Sequence, residues 1–169
     1  MGLLRHHHDE HERYRMQTDL LSIGDDYWIE NSDGDRAYKV NGKVARLRNE
    51  WVLEDRHRER VAVIREHKLS VRDEIKIDLG GRTAKVKKSL VGLRDRFHID
   101  VEHGDDMKAH GNILDHEYEI ECDGDRVAQV SKKWFRVRDT YGVEVAPGQD
   151  DALMLAVTTA LDMMAHSGR

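Results

Sequence analysis

One cysteine, Cys122, stands in a chain of 169 residues. A lone cysteine forms no internal bridge, so no disulfide framework holds this protein and a reducing compartment is expected. The N-terminus also lacks an apolar stretch of the ~7–15 residues that a secretory signal requires. Gly2 is not followed by the Ser or Thr of a myristoylation signal. These absences predict a cytoplasmic protein. Basic excess is missing too: 28 Lys+Arg stand against 33 Asp+Glu, a net charge of −5. That balance argues against nucleic-acid binding, which needs a basic surface to neutralise phosphates. A local basic face remains compatible with it. The signatures of dinucleotide loops, phosphate-binding lysine loops, nucleophile elbows, zinc proteases and paired redox cysteines are all absent from the sequence. No enzyme and no cofactor are expected, and an enzyme could only use a site at a rim.

There is a single proline, Pro147, so the punctuation of the chain falls to other residues. Asp33-Gly34, Gly80-Gly81 and Asp123-Gly124 each separate alternating apolar/polar runs. Such pairs accept the positive φ angles of hairpin turns. They also expose an internal repeat. At an offset of 44, Arg82, Ala84, Val86, Lys88, Arg94, Asp95 and Val101 fall on Arg126, Ala128, Val130, Lys132, Arg138, Asp139 and Val145. At an offset of 90, Asp33, Gly34, Asp35, Arg36, Val40, Lys43, Arg46 and Arg48 fall on Asp123, Gly124, Asp125, Arg126, Val130, Lys133, Arg136 and Arg138. Three copies of a unit near 45 residues follow.

Each copy reads as four strands: 27–31, 36–40, 44–48 and 51–54; then 74–78, 83–88, 90–94 and 97–101; then 118–122, 126–131, 134–138 and 141–145. Stretches 14–23, 61–67 and 107–113 also alternate and extend or join strands. Twelve strands with no free edge predict a closed antiparallel barrel. The segment from Ala152 to Ala165 is apolar in eleven of fourteen positions and on all sides. A helix of that kind is buried or in a membrane, and fourteen residues span only ~21 Å, too short for a bilayer. A helix over about 150–165 is therefore expected to plug the barrel, with no transmembrane segment. The domain is expected over 14–166, preceded by a polar His-rich tail over 1–13.

The chain resembles the LURP-one-related proteins, within the wider group of tubby-like C-terminal domains and phospholipid scramblases. The resemblance rests on Tyr14-Arg15-Met16-Gln17, the run Leu21 to Ile29, Val40-Asn41-Gly42-Lys43 with Arg46-Leu47-Arg48, Val130 to Trp134, Asp139 to Val143, and the helix Asp150 to Met164. It implies a twelve-stranded barrel around a hydrophobic central helix. It also implies a non-enzymatic tubby-like module that binds anionic phospholipid or phosphoinositide headgroups peripherally at the inner membrane face. The alternative is a protein-interaction or stress-response scaffold that engages a protein partner.

Candidate anion ligands are Lys132, Lys133, Trp134, Arg136 and Arg138, with Arg46 and Arg48 as the copy-one equivalents and Lys87, Lys88 and Arg94 as a partial version in copy two. On a strand, Trp134, Arg136 and Arg138 would share the outer face and Phe135 and Val137 would point inward. The competing expectation is a solvated barrel face whose cations pair across strands with Asp and Glu. Histidines 6, 7, 8 and 11 lie in the tail, and His98, His103, His110 and His116 lack a compact ligand spacing, so no metal site is expected.

Overall fold

The computed structural model describes residues 11–17, 26–41, 50–67, 74–89 and 96–167. Its strands are β1 (Glu12–Gln17), β2 (Tyr27–Glu30), β3 (Arg36–Asn41), β4 (Glu50–Asp55), β5 (Arg60–His67), β6 (Glu74–Asp78), β7 (Thr83–Lys88), β8 (Arg96–Val101), β9 (Met107–Asn112), β10 (Glu117–Cys122), β11 (Asp125–Ser131) and β12 (Thr140–Val145). One helix, α1 (Asp151–Ser167), follows. Each strand pairs antiparallel with its neighbour in sequence, and β1 pairs with β12 from Glu12↔Val145 to Gln17↔Thr140, which closes the barrel. Closure removes both sheet edges.

The alternation that predicted strands also sorts their faces. In β8, Phe97, Ile99 and Val101 are buried while Arg96 and His98 are exposed. In β6, Ile75 and Ile77 are buried and the charged residues between them face out. Successive strand side chains point to opposite faces, so this pattern leaves only one register that buries the apolar set.

The twelve strands are not quite the predicted twelve. Each copy instead begins with a strand from the stretches read as extensions: β1, β5 and β9. The predicted strand 134–138 is a connection between β11 and β12. Its counterparts 44–48 and 90–94 lie outside the described residues. In the third copy the strand count is therefore made up by β9 and not by 134–138. Asp123-Gly124 forms the two-residue turn expected of it, with φ of 51° and 85° joining Cys122↔Asp125. Asp33-Gly34 instead belongs to a longer loop, in which the Asn31 side chain accepts from the Asp33 and Asp35 amides.

Helix α1 fills the interior. Leu153, Met154, Leu155, Val157, Leu161, Met163 and Met164 are all buried against the strands. Seven such side chains contribute roughly 10–20 kcal/mol gross at ~1.5–3 kcal/mol each. Asp150 caps the start by accepting from the Leu153 amide at 3.1 Å. Its other carboxylate oxygen meets Arg82 at 2.6 Å, tying the helix entry to the β6–β7 turn. Beside it Tyr14 donates to Asp151. No described helix is long and apolar enough to cross a membrane.

Candidate functional site

The strongest sequence candidates lie in the connection 132–139. Its base is pinned by Glu117, whose carboxylate accepts from the Ser131 hydroxyl at 2.9 Å and from the Lys132 amide at 3.1 Å. From there the chain folds back over the outer wall of the barrel rather than continuing the sheet. The Trp134 ring lies against the Arg13 guanidinium of β1, 4.3 Å from its centroid. Arg13 is itself held by Glu144 of β12 at 2.6 Å. Gly142 on β12 makes room for this: a Cβ there would stand 2.5 Å from Trp134 and 2.9 Å from Phe135.

Predicted side-chain directions fail accordingly. Strand alternation does not apply to a connection, so Val137 does not point inward; it is 53% exposed. Phe135 is half-buried on the outer wall. Trp134 faces Arg13 and not the Arg136–Arg138 pair. Lys132, Lys133, Arg136 and Arg138 are all exposed, and none has an ion-pair partner among the described residues. By contrast Arg13, Arg15, Lys39, Arg65, Arg82, Lys87 and Arg126 each pair with a carboxylate. Many cations of the barrel are thus paired, and the four of this connection are not among them. Arg46, Arg48 and Arg94 lie outside the described residues. Lys87 is paired with Asp100 at 3.2 Å and Glu74 at 3.8 Å.

A Gly142→Ala substitution should dislodge the connection from the wall. The new methyl has no room, and overpacking of this kind costs ~1–3 kcal/mol. Trp134 emission is expected to shift to the red while far-ultraviolet circular dichroism is unchanged. Unaltered emission would mean that the glycine is not what seats the loop.

A second polar cluster was missed by the sequence reading. Asp162, on the apolar helix, is 2% exposed and meets two groups of the barrel. Its carboxylate lies 2.7 Å from His116 Nε2 and accepts from the Tyr141 hydroxyl at 2.7 Å. His116, also 2% exposed, stacks on Tyr141 with centroids 4.2 Å apart. Tyr118 is buried as well, and burial first, then Asp162, holds the Tyr118 and Tyr141 phenols well above their ordinary value. The signal was present, since Asp162 is the only charge between Ala152 and Ala165. A buried charge demands a partner. The histidine could not be assigned to it, because His116 sits in the β9–β10 turn with φ of 55°. The cluster is sealed by the barrel and touches none of its surface grooves. It ties the helix to the β9–β10 turn and to β12 through the contacts of Asp162 with His116 and Tyr141.

Residues 12–162, nearly the whole chain, match the LURP-one-related family. The chain belongs to that family. It is similar to the protein YxjI of Bacillus subtilis (strain 168), at 25% identity over 154 residues, covering 90% of this chain and 93% of the relative. It is also similar to the X-ray structure of a protein from Arabidopsis thaliana, with a TM-score of 0.63 and 18% identity over 92% of this chain and 93% of that one. That likeness shows the fold: the tubby-like closed barrel is shared across distant sequences.

Two further features of this LURP-one-related barrel arise from strand pairing. His110 of β9 lies directly opposite Glu119 of β10, with Glu121 beyond it on the same face. Their ligand-type atoms lie within 4.8 Å of one another. Linear spacing could not show this, since eight residues of hairpin separate His110 from Glu119. Each group already has a protein partner, with His110 2.9 Å from Glu121 and Arg126 3.2 Å from Glu119. The Cys122 thiol is raised by partial burial first and by its acidic neighbours Asp123, Asp105, Asp125 and Asp106 next, which makes it a poor nucleophile.

Proposed function

We propose that the protein is a non-enzymatic binding module that docks peripherally on anionic phospholipid through the β11–β12 connection. The observation that carries this reading is the exposed group Lys132, Lys133, Arg136 and Arg138, without carboxylate partners among the described residues, around the exposed Val137. A basic side chain near an anionic membrane surface contributes ~1 kcal/mol. Four of them therefore give an attraction that an overall acidic protein would otherwise lack. An apolar residue between cations suits the headgroup boundary, where it can be covered while the charges stay wet. Trp134 and Phe135, seated on the wall, hold the loop ready and reduce the ordering cost of docking. The non-enzymatic part of the reading is supported by an interior occupied by α1, which leaves only open surface grooves.

Co-sedimentation with neutral, anionic and phosphoinositide-containing vesicles tests it, at ~0.15 M salt where the Debye length is ~8 Å. The protein should bind anionic vesicles and release as salt rises. Arg136→Glu/Arg138→Glu should weaken binding at least ~tenfold, since two reversals remove more than ~1.4 kcal/mol of attraction. A folded protein that ignores every vesicle would sink the lipid reading and favour a protein-interaction scaffold.

A further inference from the structure

Strand register gathers lysine, arginine and histidine side chains on a second part of the wall. Reading outward-facing residues across β7, β8, β9 and β10, Lys87 pairs with His98, His98 with Lys108, and Lys108 with Glu121. In the next row Arg96 pairs with His110 and His110 with Glu119. Three basic residues therefore stand in line in the first row, and two lie side by side in the second.

The neighbouring acids engage Lys87 and His110 and leave two cations of this block, Arg96 and Lys108, without a pair among the described residues. Glu121 is engaged by His110 at 2.9 Å, Glu119 by Arg126 at 3.2 Å, and Asp100 by Lys87 at 3.2 Å. Arg96 and Lys108 are exposed and have no ion pair among the described residues. Between them lies a groove of about 570 Å³, lined by Ser89, Arg96, His98, Lys108, His110 and Glu121 among others. That volume falls in the range of small-molecule sites, ~300–1,000 Å³.

We propose that this groove binds a soluble ligand carrying two or more phosphate groups. Arg96 offers a planar fork that matches two phosphate oxygens, and Lys108 a compact charge. The two occupy diagonal positions on adjacent strands, where side-chain bases stand ~7–8 Å apart. That span lets each take a separate phosphate. His98 flanks them on the groove wall, while His110 Nε2 faces Glu121. Strands β10 and β11 separate this groove from the β11–β12 connection, so the site is distinct from the one proposed for membrane docking and does not depend on it.

Titration calorimetry with pyrophosphate tests the proposal on three proteins: the parent, Arg96→Gln/Lys108→Gln, and Arg136→Glu/Arg138→Glu. The parent and the loop variant should bind pyrophosphate alike, and the wall variant at least tenfold more weakly. Without ligand, the wall variant should melt close to the parent, because both side chains are exposed and have no ion pair among the described residues. Pyrophosphate should raise the melting temperature of the parent and not of the wall variant. In parallel, phosphoinositide vesicles should be lost by the loop variant and kept by the wall variant. The proposal is overturned by a folded parent that binds no pyrophosphate, or by a wall variant that binds it as tightly as the parent. It is equally overturned if the wall variant loses vesicles while pyrophosphate binds to neither protein, since the groove would then be a lipid headgroup site.

Discussion

Replacing Asp162 by leucine is expected to lower the melting temperature by roughly 6–20 °C. The substitution suits the apolar surroundings of α1 in size and polarity, so a reading from helix composition alone would expect it to stabilise. The structure gives the opposite sign. Asp162 accepts from Tyr141 and contacts His116, and both partners are buried. Removing one member of a buried pair costs ~3–5 kcal/mol, because the other is left without compensation. At ~2–4 °C per kcal/mol for a chain of this length, the shift follows. Asp162→Asn keeps an acceptor of the same shape and should lose less than half as much. Thermal unfolding followed by circular dichroism distinguishes the cases. A leucine variant as stable as the parent would show that the cluster does not hold the helix.

The second large effect is alkaline. All five tyrosines have phenols raised above the ordinary value of 10.0. Desolvation by burial is the first cause in each, with Asp151 next for Tyr14 and Tyr38 and Asp162 next for Tyr118 and Tyr141. Tyr38 is pushed up to about 12, and the others go further. The sign follows from linkage. Above pH ~10 the unfolded chain loses protons that the folded chain keeps, so the tyrosines' contribution to stability is complete below that pH and is lost as pH rises towards the folded-state values. Tyrosinate absorbance near 295 nm should therefore stay flat through pH 10. It should then rise in one step together with loss of the barrel's circular dichroism, at or above pH ~12. A gradual rise centred on pH 10 with the fold intact would contradict the burial of these rings. In Asp162→Leu the step should move to lower pH, because Tyr141 and Tyr118 lose a negative neighbour and the fold loses stability.

These two results depend on different parts of the chain being legible. Strands such as Glu74–Asp78 and Arg96–Val101 could be read directly, since period-two alternation is a local property. The central helix could be read from its apolar run, and its occupancy of the barrel from a length too short for a bilayer. The repeat made the count of strands legible as well. It could not say which of the alternating stretches were strands, because copied sequence marks equivalence and not conformation. Lys132–Arg138 alternates as well as a strand does, yet Trp134 and Phe135 find their apolar surface on the outside of the wall, over Gly142, and the segment leaves the sheet.

The sequence by itself determined the closed barrel, the helix within it and the identity of the basic connection, because each rests on periodicity, composition or turn chemistry within a short window. Only the tertiary structure decided what faces what. The exposure of Val137 among cations without an ion-pair partner among the described residues, the meeting of His116 and Tyr141 at Asp162 and the basic rows across β7–β9 all depend on how segments far apart in the chain pack together. Those are relations between residues far apart in the chain. They are settled by the packing that buries the most apolar surface while leaving the fewest polar groups without a partner.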